Sequence, residues 1–316
     1  MQYRRLGRAG LKVSAIGVGA NQFGGKVSAK EVANILDAAR EAGVNFIDTA
    51  DVYQGGKSEE TIGAAVSGYR DRILVATKVR HSLEPKGPND GGTSRHHIIQ
   101  GVEASLKRLQ TDYIDLYQIH SWDEVAPTDE TMRALDDLVR AGKVRYIGAS
   151  NYTAWQLTHA NAVAEIAGWE CFVSIQPHYH MFELGIEKEL IPACEYFDIG
   201  ILPYFPLAGG FLTGKYEQGK EAPEDSRGAS SPYVQRYMID DNYAVLDKLA
   251  AFANERDHTL NELAHAWLLA QPQVSSVISG ATKVEHVVAN AQAGDWELGA
   301  EEAEAVTAIL DGEEEE

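Results

Sequence analysis

The sequence predicts an α/β fold, a (β/α)8 TIM barrel with an N-terminal β-hairpin and long loops at its C-terminal face. Three observations lead there. Eight short apolar, β-rich runs are spaced along the chain, and helical periodicity follows them. That alternation calls for parallel strands joined by helical crossovers. The chain has 316 residues, enough for one barrel, and no linker or low-complexity stretch divides it. Residues 1–316 are therefore read as a single domain, ending in an acidic tail at 312–316. An open doubly wound sheet is the alternative.

Each element has its own signal. Residues 2–5 and 12–14, joined through 7–10, make a hairpin before the barrel. The strands are expected at 15–18, 44–47, 73–76, 114–118, 144–148, 172–175, 199–203 and 274–278. Across 29–42, Val32, Ile35, Leu36 and Ala39 mark one helical face. Across 94–109, Ile98, Ile99, Val102, Leu106 and Leu109 do the same. Helices are also expected over 128–140, 154–167 and 243–254. Two long loops, 81–93 and 207–238, follow the third and seventh strands, on the face where a barrel carries its chemistry.

Composition narrows the function. The chain carries 28 basic and 47 acidic residues, a formal charge of −19. Such a body repels phosphate backbones and anionic lipid, so neither nucleic acid nor membrane is an expected partner. The charge is uneven, since residues 301–316 hold eight acids and no base. Cys171 and Cys194 show no metal-type spacing, and the N-terminus lacks the apolar run of a signal peptide. No apolar stretch approaches about 18 residues. A cytoplasmic protein is the expectation.

Polar residues gather at successive strand ends. They are Asp48, Asp51 and Tyr53, then Lys78, Gln118 with His120, Ser150 with Asn151, Gln176, and Tyr204. Each alone reads as an ordinary loop residue. In a barrel all of them converge on one mouth. No GxGxxG follows the first strand, where Gly17 and Gly19 stand without a third glycine. His178-Tyr179-His180 has ligand-like spacing but is read without an acidic or Cys partner, so no metal is expected.

The segments GVNFIDTADVY (43–53), ILVATKV (73–79), SLKRLQTDYIDLYQIH (105–120), GKVRYIGASNY (142–152), SIQPHYH (174–180), LPYFPLAGGFLTGKY (202–216) and VISGATKVEHVVAN (277–290) resemble the aldo-keto reductases in order and spacing. These are NAD(P)H-dependent carbonyl reductases built on a (β/α)8 barrel. The PLAGGFLTGKY stretch and the long third-strand loop look closest to the branch holding bacterial reductases and potassium-channel β subunits. The resemblance implies a catalytic tetrad of Tyr53, Asp48, Lys78 and His120. Tyr53 would be the general acid. A phenol of pKa about 10 is weak for that task, so Lys78 is expected to lower it and Asp48 to hold the lysine charged. His120 would orient the carbonyl. Its presence favours a working reductase over the alternative, a regulatory cofactor-binding protein similar to a channel β subunit.

The cofactor residues carry over in the same way. Ser150, Asn151 and Gln176 match the nicotinamide carboxamide contacts, and Tyr204 the ring that stacks on the nicotinamide. Phe205, Pro206, Leu207, Ala208, Gly210 and Lys215 match the pyrophosphate loop. Arg227 matches the covering loop, and Gly280, Thr282, His286 and Asn290 the adenosine and 2′-phosphate segment. The implied cofactor is NADPH/NADP. NADH is possible, because Gly280 and His286 stand where Arg or Lys is common and Ala289 replaces a common Glu. Phe205 stands where serine is usual. Asn21, in place of a frequent Trp, and Trp122 are the expected substrate contacts. Tyr152 and Phe182 are further candidates for the mouth. The implied substrate is a small-molecule aldehyde or ketone, and the oligomeric state is left open.

Overall fold

A computed structural model describes residues 1–82, 87–224 and 226–312. The hairpin is β1 (Tyr3–Arg5) and β2 (Lys12–Ser14), paired antiparallel. Eight strands follow: β3 (Ile16–Gly19), β4 (Phe46–Asp48), β5 (Leu74–Val79), β6 (Ile114–Ile119), β7 (Val144–Ser150), β8 (Ser174–Gln176), β9 (Gly200–Ile201) and β10 (Val277–Gly280). They pair in parallel in the order β10-β3-β4-β5-β6-β7-β8-β9. Single bridges Ile201↔Val274 and Tyr204↔Ile278 tie the β9 edge to the β10 edge, so the sheet curls onto itself. This is the expected (β/α)8 arrangement.

Helices α1 (Ala29–Glu41), α2 (Lys57–Val66), α3 (Arg95–Leu109), α4 (Thr128–Arg140), α5 (Ala154–Ala167) and α6 (Leu190–Phe197) each follow a strand. Two short helices, α7 (Arg227–Ser230) and α8 (Pro232–Gln235), precede α9 (Asp240–Asn254), α10 (Leu260–Ala270), α11 (Val284–Ala293) and α12 (Ala300–Asp311). Local chemistry sets several of the ends. Ser28 and Glu31 form a capping box at the start of α1, and Thr259 and Glu262 another before α10. Gly168, left-handed at φ 68°, stops α5.

Two expectations change in detail. The run at 199–203 yields a two-residue strand, because Pro203 has no N–H to give the ladder. The segment 207–238 is not bare loop. It holds a 3-10 turn at Ala208–Thr213 and then α7 and α8. The expected acidic tail lies, from Glu313 on, outside the described residues.

The core has two layers. Leu6, Val13, Phe46, Ala76, Leu116, Leu202 and Ile278 fill the barrel interior, while a larger cluster lies between strands and helices. The hairpin supplies Leu6 and Val13, so it plugs the N-terminal end. A Cβ on Gly7, which holds φ +51°, would lie 2.3 Å from the Val173 carbonyl oxygen. Only glycine permits that approach. With this end sealed, the cleft opens at the other.

Candidate active site

The parallel register builds the site. β4 pairs Asp48 with Ala76 of β5, and β5 pairs Lys78 with Gln118 of β6. Side chains two apart on a strand share a face, so Ala76 packs the interior while Lys78 points inward one layer higher. Lys78 is fully buried. Its Nζ lies 2.6 Å from Asp48 Oδ2, 2.9 Å from the Thr49 carbonyl and 3.4 Å from the Tyr53 hydroxyl. The second carboxylate oxygen of Asp48 accepts from Gln118 Nε2 at 3.1 Å and Gln176 Nε2 at 2.7 Å. A charge-assisted bond and two amide bonds thus hold the buried carboxylate.

Tyr53 reaches the lysine because the chain after β4 turns at once. Tyr53 opens a 3-10 turn in which Gln54 is left-handed, φ 52°. Its ring meets His120 edge-on at 5.8 Å. Desolvation raises the Tyr53 phenol above its ordinary value, against a lowering by Lys78. The lysine therefore acts with the expected sign, but burial outweighs it. Burial by itself would lower the Lys78 ammonium, yet Asp48 and Tyr53 leave it raised. His120 is pushed down to about 2 by burial first and then by Lys78, His81 and Arg80. It is neutral in the working range and has one N–H to give.

The cleft is a cavity of about 1040 Å³. Asp48, Tyr53 and His120 line its floor, with Lys78 behind them. Ser150, Asn151, Gln176, Tyr204, Phe205, Pro206, Leu207, Gly210, Lys215, Arg227, Gly280, Thr282, His286 and Asn290 line the rest, and Asn21 stands at the rim. Several of these groups bond one another. Ser150 Oγ donates to the Gln176 carbonyl at 2.9 Å. Asn151 Nδ2 donates to the His120 carbonyl at 3.0 Å, and the Tyr204 hydroxyl to Asn151 Oδ1 at 3.0 Å. Farther along, Phe205, Ala208, Gly209 and Gly210 all have positive φ, from 46° to 104°. The turn is held by its own amides, Ala208 donating to the Phe205 carbonyl at 2.9 Å and Gly210 to the Leu207 carbonyl at 2.7 Å. Lys215 folds so close over it that a Cβ on Gly210 would lie 2.4 Å from Nζ.

Four expected residues lie elsewhere. Trp122 is not among the residues lining the cavity; its ring packs edge-on against Tyr152 and Trp155 at 5.2 and 5.4 Å. Ala208 is fully buried beneath the turn. Tyr152 is buried against Phe172, and Phe182 packs on Phe211. Residues not singled out also face the cavity, among them Gln22, Lys26 and Asn261. Gln22 and Lys26 follow the C-terminal end of β3, a position that would have flagged them.

His178 and His180 do have an acidic neighbour, contrary to expectation. Glu183 Oε2 lies 3.8 Å from His178 Nδ1, and the two Nε2 atoms lie 3.1 Å apart. The carboxylate is already taken by Arg236 at 2.8 Å and the Tyr237 hydroxyl at 3.1 Å. The Phe182 amide donates to His180 Nδ1 at 3.2 Å, so Nε2 of that ring carries the proton. The cluster is a hydrogen-bonded group whose one carboxylate is already paired with an arginine.

A family model, the aldo/keto reductase family, matches residues 15–311. The chain belongs to that family. This aldo/keto reductase is 40% identical over 303 residues to a probable voltage-gated potassium channel subunit beta from Oryza sativa subsp. japonica, covering 93% of this chain and 92% of that one. It is 32% identical over 319 residues to versiconal hemiacetal acetate reductase from Aspergillus parasiticus, covering 92% and 93%. It is 33% identical over 319 residues to the aldo-keto reductase YhdN of Bacillus subtilis (strain 168), covering 98% and 94%. The family ties the chain to oxidoreductases with a nicotinamide cofactor and small carbonyl substrates. Among the described residues no helix is long and apolar enough to cross a membrane.

Proposed function

We propose that this protein reduces aldehydes or ketones with NAD(P)H, with Tyr53 as general acid. One observation carries the reading: the Tyr53 hydroxyl lies within 3.4 Å of a buried, carboxylate-paired ammonium and faces the cavity beside a neutral His120.

The lining suits a dinucleotide. Amides and an aromatic ring stand at one end, and a glycine turn with Lys215 and Arg227 in the middle. Thr282 stands just before the N-terminus of α11, and Asn290 lies farther along that helix. When bound, the nicotinamide would supply a hydride to the carbonyl carbon. Negative charge then grows on the carbonyl oxygen, and His120 donates a hydrogen bond to it. Tyr53 gives its proton to that oxygen. The phenolate left behind faces the Lys78 ammonium, which Asp48 keeps charged and aimed. Ser150 and Asn151 would turn from the Gln176 and His120 carbonyls to the carboxamide, with the Gln176 amide beside them still holding Asp48. At the adenosine end burial and then Lys283 lower the His286 pKa, so that imidazole adds little positive charge toward a 2′-phosphate. This favours use of both NADPH and NADH.

The test is steady-state reduction of a panel of aldehydes, ketones and sugar-derived carbonyls with each cofactor. Repeated turnover supports the reductase. Tight cofactor binding without turnover on any of them would instead favour the regulatory reading, to which the similarity with a probable channel β subunit lends weight.

A further inference from the structure

His178 lies outside the tetrad and outside the groups expected to touch the cofactor, yet its ring is fixed on every side. It is nearly parallel to the Tyr204 ring, 12° apart with centroids at 5.2 Å. The backbones beneath them also meet. Residues 178 and 204 form a parallel bridge, and the Tyr204 amide donates to the Pro177 carbonyl at 3.1 Å. His180 braces the imidazole from below at 3.1 Å. From above, the Tyr233 hydroxyl sits over the ring, 3.0 Å from Nδ1 and 3.1 Å from Nε2.

Tyr233 belongs to α8, in the segment between the phosphate turn and α9. It too lines the cavity. Arg236 holds Tyr233 in place, with its guanidinium 4.3 Å from the ring centroid and an ion pair to Glu183. Phe205 fills the angle between the two partners, 5.8 Å from His178 and 5.1 Å from Tyr233. At its far edge, Tyr204 bonds Asn151, and Asn151 bonds the His120 carbonyl.

We propose that His178 is a strut: a positioning residue that ties the segment covering the cleft, through Tyr233, to the Tyr204 face on which the nicotinamide rests. The proposal builds on the cofactor reading above. With Tyr233 docked, His178 presses Tyr204 flat and keeps Asn151 aimed. Lifting Tyr233 frees the imidazole, and Tyr204 loses its backing. Cover opening and loosening of the nicotinamide end are then one event.

The test is the dissociation rate of NADPH from the purified full-length protein. It is followed in stopped flow through the fluorescence of the bound nicotinamide, without substrate. The variants are Tyr233→Phe, which removes one oxygen from an exposed side chain, His178→Phe, which keeps a flat ring without its nitrogens, and the double substitution. Each single change should raise the rate about three- to tenfold, the range of one lost hydrogen bond. Both changes cut the same link, so the double variant should be no faster than the faster single one. A double-variant acceleration equal to the product of the two singles overturns the strut. So does an unchanged rate in Tyr233→Phe, which decides the matter even where His178→Phe fails to fold. An unsubstituted protein that binds neither NADPH nor NADH removes the cofactor reading and the strut together. Additive rates in a protein that binds remove the strut alone.

Discussion

The Lys78 ammonium stands 2.6 Å from the Asp48 carboxylate, and neither group is open to solvent. A buried pair of this kind is costly to break and far less costly to replace as a whole. Asp48→Asn keeps the shape and leaves an amide for Gln118 and Gln176, but it strands the lysine charge. A loss of about 3–5 kcal/mol in urea unfolding is expected for that variant. Asp48→Asn combined with Lys78→Met should recover part of it. A double variant as unstable as the sum of the singles would argue against coupling.

Tyr53→Phe removes the hydroxyl and little else. Turnover should fall by about 10²–10⁴-fold, the usual share of a positioned acid. The dissociation constant for cofactor should stay within about twofold. Full activity in this variant would rule out Tyr53 as the proton donor.

Asp51 predicts a pH signature in stability. It is buried with one oxygen unpartnered, and burial first, then the Glu59 carboxylate, raises its pKa to about 7. The folded state therefore holds a proton that the unfolded state, with its ordinary pKa near 4, gives up. Between those values the folded protein binds more protons, so stability falls as pH rises through that window. Asp51→Asn, neutral at every pH, should raise the melting temperature more at pH 8 than at pH 4.5. A stabilisation on the order of 1–3 kcal/mol at the higher pH is expected. An equal effect at both values would show that Asp51 does not titrate there.

The net charge of −19 predicts a salt effect of definite sign. Lys215 and Arg227 face the cavity and offer local attraction to phosphates within an acidic body. Raising salt should weaken cofactor binding, by screening the near cations. Titrations from low to high ionic strength check this. Tighter binding in high salt would show that the surrounding acids dominate, as on a salt-adapted surface.

The strand ends were legible in the sequence because a barrel turns position into proximity. Asp48, Lys78, His120 and Gln176 are far apart in the chain, and the register alone gathers them. What depends on depth was not legible. The sign of the Lys78 effect on Tyr53 follows from charge, but the larger desolvation depends on what lies above the hydroxyl. Trp122 follows His120 by two residues, yet its ring turns toward Tyr152 and Trp155. Glu183 was within reach of sequence reading, three residues after His180, and a search for acids one helical turn onward would have found it. The pairing of Glu59 with Arg108 spans 49 positions and leaves no local trace.

The seam of the barrel has a consequence for motion. β9 has two residues, and the wall beside it closes on single bridges at Ile201 and Tyr204. Most neighbouring strands share three or more paired positions. Cooperative opening begins where the fewest hydrogen bonds must break. The stretch that carries Tyr204 is thus tied at fewer positions than β6 and β7, which share five, and its amides should exchange with solvent deuterium before theirs. A molecule stacked on Tyr204 would act as a clip across that joint, slowing exchange on both sides of the seam at once.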